Sequence, residues 1–140
     1  MSIKLCALFL AIALLATIAM AENEIYTVNT ANSDTLGMYL VNETFFTLYH
    51  YLSDPQGAEM STCTAACALT WPPFYVEDLT VPPELKSRDF DVITRDGGKK
   101  QLTYKGWPLY LYKGDTKPFE TNGQSVNGLW FVVNPQNLTK

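Results

Sequence analysis

Residues 48–54 read LYHYLSD and residues 109–115 read LYLYKGD, so the pattern Leu-Tyr-x-Tyr-x-x-Asp occurs twice in this chain. The two copies lie 61 positions apart (110 − 49), and a tryptophan, Trp71 or Trp130, follows each copy. A unit of this length buries little core by itself. The repeat therefore predicts two similar units that pack against each other.

Short runs rich in Tyr, Phe, Val, Ile and Thr contain and surround the two copies, as half-buried strands prefer. Asp96-Gly97-Gly98 separates two of these runs and predicts a hairpin. One short helix is expected near 61–70, where Ser61 or Thr62 can cap it and alanines favour it. The sequence predicts an all-β fold, an antiparallel sandwich or small barrel of two pseudo-equivalent repeats. We expect each Leu-Tyr-x-Tyr strand to be central in its half.

Near the start of the 140-residue chain, the basic Lys4 precedes an apolar run and then Ala-Met-Ala at 19–21, which is typical of a secretory signal peptide. We expect a signal peptide at 1–21, a polar N-terminal lead-in at 22–35, and a single domain at 36–134. The two repeats of this domain should cover about 36–76 and 95–134. An uncleaved membrane anchor is the alternative for the apolar run, which is shorter than the roughly 20 residues a bilayer needs. We expect a protein that is secreted, extracellular or in the cell envelope, without a membrane span after cleavage.

Net charge and composition exclude some classes of binding partner and indicate a folded chain. The net charge is −4 at pH 7, and an acidic balance argues against nucleic acid and against anionic membrane surfaces. Aromatic residues make up 13% of the chain and charged residues 17%, which favours a folded domain over disorder. Asn42 and Asn137 begin Asn-x-Thr sequons, which are glycosylation acceptors where the source organism has the machinery.

Five motifs occur in order: the repeated Tyr-x-Tyr-x-x-Asp, STCTAACALTWPP, GWPLYLYKGDTKP, TNGQ and GLWFVV. Together they resemble the secreted-repeat lipoproteins that carry the Yx(FWY)xxD motif, over about residues 36–134. The resemblance implies an envelope-associated protein without an established biochemical activity. The chain departs from many members because it lacks a lipid-acceptor cysteine: Cys6 lies at the start of the apolar run of the leader and not at its end.

Cys63 and Cys67 in STCTAACALTWPP raise a choice between a metal site, a redox site and a disulfide. A structural zinc site needs about four Cys or His ligands, and the expected mature chain holds two cysteines and one histidine. Redox dithiols usually have the shorter Cys-x-x-Cys spacing. Residues four apart on a helix are close enough for a disulfide, and a secreted protein meets oxidising conditions. We expect a disulfide with no metal and no cofactor; a redox or metal role is the alternative.

The repeated tyrosines and aspartates form the candidate ligand site. Tyrosines two apart on a strand point to the same side, and an aspartate at the strand end can accept from turn amides. Two interpretations stay open. In one, the rings are core and the aspartates hold the turns; in the other, they line a cleft between the halves that binds a sugar, a small polar ligand or a cation. The residues are Tyr49, Tyr51, Asp54, Tyr110, Tyr112 and Asp115.

The tryptophans and the single histidine complete the set of candidates. Trp71 and Trp130 are expected in the core, and Trp107, between Gly106 and Pro108, should be the most exposed of the three. His50 alternates with two tyrosines and should face the other side of its strand. No catalytic triad or Gly-x-Ser-x-Gly motif is present in the sequence. We therefore name no catalytic residue and expect that the protein is not an enzyme.

These observations favour a secreted, non-enzymatic binding or envelope-interaction module. Its expected partner is an envelope protein or a small polar ligand. The alternative is a metal-handling or electron-transfer accessory protein that uses the carboxylates and tyrosines at the repeat junction.

Overall fold

The structure, a computed structural model, describes residues 24–138. Within that range all strand pairings are antiparallel: β1 with β2, β3 with β7, and β4 with β5 and β6 in order. The fold is all-β and sandwich-like, as predicted, and between residues 24 and 138 the sheets do not close into a barrel. The elements in chain order are β1 (Val28–Ser33), β2 (Gly37–Asn42), β3 (Tyr49–Tyr51), α1 (Ala66–Thr70), β4 (Phe90–Thr94), β5 (Lys100–Tyr104), β6 (Trp107–Pro108) and β7 (Trp130–Val132).

The expected signal peptide at 1–21 lies outside the described residues. Among the residues that are described, no helix combines the length and the apolar character that a membrane crossing needs.

Each half begins with a similar hairpin. β1 and β2 pair Val28 with Asn42, and β4 and β5 pair Phe90 with Tyr104 in the equivalent register. The expectation that residues 28–33 belong to a polar lead-in was wrong, because they form β1. The sequence VNTANS lacks strand propensity of its own, but Val28 is fully buried and the strand pairs along its whole length with the more apolar β2.

The predicted helix is present but short, since α1 starts only at Ala66. Its N-cap is Ala65, which has a φ of 50° and makes no side-chain capping bond. The expected caps were wrong because both residues have other partners before the helix. The Ser61 hydroxyl contacts the Tyr110 hydroxyl, and the Thr62 N–H and hydroxyl donate to Asp54.

The two Leu-Tyr-x-Tyr segments meet at the junction of the halves. Tyr49 N donates to Tyr110 O at 2.8 Å, and Tyr110 N donates to Tyr49 O at 2.9 Å. These two hydrogen bonds are reciprocal, so the two segments are related by an approximate twofold axis that passes between Tyr49 and Tyr110. Each segment also has a partner on its other side, β7 for Tyr49 and Pro73 for Tyr110.

The halves also exchange their last strands. β3 of the first half pairs with β7 of the second, and Tyr110 of the second half forms a bridge to Pro73 of the first. Leu111 N then donates to Pro72 O at 2.8 Å. Each half thus completes its sheet with a segment of the other.

Candidate functional site at the repeat junction

The repeated tyrosines and aspartates form crossed pairs. The Tyr49 hydroxyl donates to Asp115 Oδ2 at 2.7 Å, and the Tyr110 hydroxyl donates to Asp54 Oδ2 at 2.5 Å. Both tyrosines are fully buried, and the aspartates are 3% and 7% exposed. Each tyrosine is therefore bonded to the aspartate of the other copy of the motif.

The second oxygen of each carboxylate holds a loop. Asp54 Oδ1 accepts from Thr62 N at 2.7 Å, and Asp115 Oδ1 accepts from Asn122 N at 2.9 Å. All four carboxylate oxygens thus accept hydrogen bonds from the protein itself. The structure places the side chains of Tyr49, Tyr110, Asp54 and Asp115 in the interior.

Burial raises the pKa of Tyr49 and of Tyr110 well above the usual range, and the hydrogen bonds to the aspartates act in the same direction. Burial also raises the pKa of Asp115, against which the hydrogen bond from Tyr49 acts. The tyrosine hydroxyls therefore remain protonated donors at physiological pH.

Four rings form a continuous stack across the junction, in the order Tyr51, Trp130, Trp71 and Tyr112. The three successive centroid distances are 4.2, 3.8 and 4.2 Å, with interplanar angles of 15°, 1° and 24°. Trp71 and Trp130 are buried at the centre, and Tyr51 and Tyr112 are half-buried at the ends. We call these four residues the ring stack.

The TNGQ segment fits closely against these rings. A Cβ atom on Gly123 would lie 2.8 Å from the Tyr49 ring and 2.9 Å from the Trp71 ring. The Gly123 N–H also donates to the Tyr49 hydroxyl at 3.2 Å. The glycine is therefore explained by the close approach of its backbone to two aromatic side chains.

Cys63 and Cys67 form a disulfide with a Cα–Cα distance of 5.2 Å. The two cysteines do not lie on one helix, as the spacing argument assumed, since Cys63 precedes α1 and only Cys67 lies on it. Cys63 is fully buried beside the tryptophans, and its carbonyl oxygen accepts from Arg95. Within residues 24–138, no group of three or more His, Cys, Asp or Glu side chains could hold a metal ion.

His50 lies on the opposite face of β3 from its two tyrosine neighbours. Its ring contacts Trp107 at 5.1 Å and Phe131 at 6.3 Å, and Trp107 is half-buried. Burial lowers the pKa of His50 to about 4, and its buried Nδ1 has no hydrogen-bond partner in the described part of the chain. His50 is therefore a neutral packing residue at physiological pH.

The two sequon asparagines differ in exposure, since Asn42 is half-buried and Asn137 is exposed. Asn42 ends β2, and its Oδ1 accepts from Thr44 N, Thr44 Oγ1 and Phe46 N. Asn137 is in a turn near the end of the described range, where its N–H donates to Asn134.

Sequence reasoning missed an exposed aromatic pair, Phe45 and Phe119, whose rings stack at 5.2 Å. The side chains are 43% and 54% exposed, and both residues have a φ of 65°. Phe119 N donates to Phe45 O at 2.9 Å. An alignment of the two repeats contains a signal for this difference. Phe45 and Gly106 each lie three residues before the leucine of their motif, so a phenylalanine in one repeat aligns with a glycine in the other.

The other half has two glycines at the equivalent place. Gly57 N donates to Gly106 O at 2.9 Å, and both residues have positive φ, 75° and 83°. The same backbone contact is therefore built from glycine in one half and from phenylalanine in the other.

A cleft of about 420 Å³ adjoins Phe45. Its lining includes the exposed Ile25 and the ring of Tyr26. Three carboxylate side chains, and no lysine or arginine, complete the charged part of the described lining: Glu24, Glu43 and Glu84.

Comparison with known protein families gives a match in the second half of the chain. Residues 91–134 match the family described as a secreted repeat of unknown function. The match starts in β4 and ends just after β7, so it covers nearly all of the second half. No curated protein and no solved structure matches the chain significantly. The resemblance seen in the motifs is therefore confirmed over residues 91–134, which match this family of secreted repeats.

Proposed function

We propose that the protein is a secreted, non-enzymatic binding module that contacts its partner through Phe45 and Phe119. The observation that carries this proposal is the replacement of the glycine pair of one half by an exposed phenylalanine pair in the other. We call Phe45 and Phe119 the aromatic platform.

The two phenylalanines of the platform destabilise the fold relative to glycine at the same positions. A bulky residue in the left-handed region is strained by about 1 kcal/mol or more, whereas glycine adopts this conformation freely. Stacking of the two rings returns about 0.5–1.5 kcal/mol. About half of each ring remains exposed, so burial offsets little of the rest. Exposed aromatic residues in strained backbone are typical of contact sites.

The adjoining cleft indicates the chemistry of the partner. Its three carboxylates and the rings of Tyr26 and Phe45 suit a cationic side chain, which carboxylates attract and aromatic faces also bind. We infer that the partner is a segment of another envelope protein that presents lysine or arginine next to an apolar residue.

The test is a direct binding measurement with defined peptides. The probe is a labelled peptide of alternating arginine and leucine. The control peptide has glutamate in place of each arginine. Fluorescence anisotropy should show binding of the basic peptide, weakened by salt. The double variant Phe45→Gly, Phe119→Gly copies the other half, so it should fold as stably as the original. It should lose affinity about tenfold or more, which corresponds to about 1.4 kcal/mol or more.

Val92→Thr is the matched control, because Val92 is half exposed on β4 and does not line the cleft. It should leave binding unchanged. Equal affinity of the glycine variant and the original protein, or equal binding of the acidic peptide, would refute the proposal.

A further inference from the structure

The two central tryptophans are closely stacked with parallel rings. Aromatic pairs usually adopt offset or edge-to-face arrangements with centroids 4.5–7 Å apart. Trp71 and Trp130 are parallel within 1° at a centroid distance of 3.8 Å, so that the two ring faces are in direct contact. Such a close parallel pair is stabilised when one electron is removed, because both rings then share the positive charge. The face-to-face contact of the two rings therefore allows the pair to share the positive charge that the loss of one electron leaves.

The ring stack also connects this pair to the surface on both sides. Tyr51 stacks on Trp130 and Tyr112 stacks on Trp71, each at 4.2 Å. Both tyrosines are half-buried, so one part of each side chain is accessible to solvent. Electron transfer between rings weakens steeply with distance, and every step along the stack is a direct ring contact.

Proton acceptors are in place beside the pair. Tyr49 meets Trp71 edge-on at 5.4 Å, and Tyr110 meets Trp130 edge-on at 5.0 Å. A tyrosine that loses an electron also releases its hydroxyl proton. The buried carboxylates of Asp115 and Asp54 already accept from these two hydroxyls and can take the proton without movement of heavy atoms.

We propose that the ring stack, together with Tyr49 and Tyr110, is a one-electron relay. A one-electron oxidant at the surface removes an electron through Tyr51 or Tyr112, which leaves a radical cation on the tryptophan pair. Tyr49 or Tyr110 returns one electron to that pair and becomes a neutral tyrosyl radical. Its proton passes to Asp115 or Asp54. The net change is one tyrosine hydroxyl and one carboxylate converted into one tyrosyl radical and one carboxylic acid, while the oxidant gains one electron.

This activity is independent of the aromatic platform, which contributes no ring to the relay. Its partner class is a small one-electron oxidant that reaches Tyr51 or Tyr112 from solvent.

The test is pulse radiolysis with the azide radical, which oxidises tryptophan by one electron. The protein carries Trp107→Phe so that the stacked pair holds all remaining tryptophan. We expect a tryptophan radical that converts to a tyrosyl radical at a rate independent of protein concentration. The conversion should be slower in D₂O, because a proton moves from tyrosine to aspartate in that step. Electron paramagnetic resonance of a frozen sample identifies the final radical.

The variant Tyr49→Phe, Tyr110→Phe in the same background should keep the tryptophan radical alive several-fold longer. A conversion unchanged by these substitutions would overturn the proposal. A conversion that is equally fast in H₂O and D₂O, in the protein that keeps Tyr49 and Tyr110, would also overturn the proposal. This second measurement does not depend on whether the double variant folds.

Discussion

Tyr49 donates its hydroxyl hydrogen to Asp115, which lies in the other copy of the motif, at 2.7 Å. Tyr110 and Asp54 form the reciprocal bond. The motif is therefore complete only between the two halves, since a single Leu-Tyr-x-Tyr-x-x-Asp segment does not bring its own tyrosine and aspartate together. This crossing explains how a short repeat of strands and loops can bury two carboxylates in its core.

The crossed pairs should be energetically coupled. In a double-mutant cycle, Tyr49→Phe and Asp115→Asn should show a coupling energy of about 1–3 kcal/mol, because the bond joins a hydroxyl to a buried carboxylate. Urea unfolding measures each variant. The matched control is the cycle of Tyr49→Phe with Asp54→Asn, two residues of the same copy that are not paired. A larger coupling in this control than in the crossed pair would contradict the assignment.

The exchange of strands predicts that neither half folds alone. Separate polypeptides of residues 24–80 and 86–138 should each give the poorly dispersed NMR spectrum of an unfolded chain, because β3 and Tyr110 lose their partner strands. An equimolar mixture should regain dispersed signals. A single half that is a folded monomer would show that the exchanged strands are dispensable.

Protonation of His50 should destabilise the fold in acid. Burial lowers the pKa of His50 to about 4 in the folded state, below its ordinary value of 6.5. Between these values the unfolded chain binds more protons, so the contribution is complete above pH 6.5 and is lost as the pH falls toward 4. The loss is about 3 kcal/mol at most, from about 1.36 kcal/mol for each pKa unit.

The variant His50→Phe separates the effect of histidine protonation from that of the carboxylates, because the carboxylates titrate in the variant and in the original protein alike. Urea unfolding at several pH values between 4 and 7 should show a shallower decline for the variant. Parallel curves for the two proteins would show that His50 does not titrate as its burial requires.

Removal of the disulfide should weaken the fold only modestly. The closed loop between Cys63 and Cys67 is short, so the variant Cys63→Ala, Cys67→Ala should lose about 2 kcal/mol, near the low end for disulfides. Thermal unfolding measures the loss, and hydrogen exchange should locate it in residues 61–70. A variant that no longer folds would mean that the disulfide supports the whole junction.

The sequence allowed much of the interior to be predicted. Alternation in Tyr-x-Tyr predicts that both tyrosines face the same side, and Tyr49 and Tyr51 indeed contact one cluster while His50 faces away. β1 escaped prediction because its mostly polar sequence has little strand propensity, and the strand depends on pairing with β2 and on the burial of Val28. The aromatic platform escaped it because strained, exposed residues obey no local propensity.

The sequence by itself determined the duplication, the all-β class and the residue pair that forms the disulfide, since these depend on composition and on short spacings. Only the tertiary structure decided that the halves exchange strands, that each tyrosine binds the aspartate of the other copy, and that four rings stack across the junction. The physical reason is that alternation specifies which face of a strand is buried, but not which strand lies beside it. That choice depends on the path of the whole chain and on how two similar surfaces pack together.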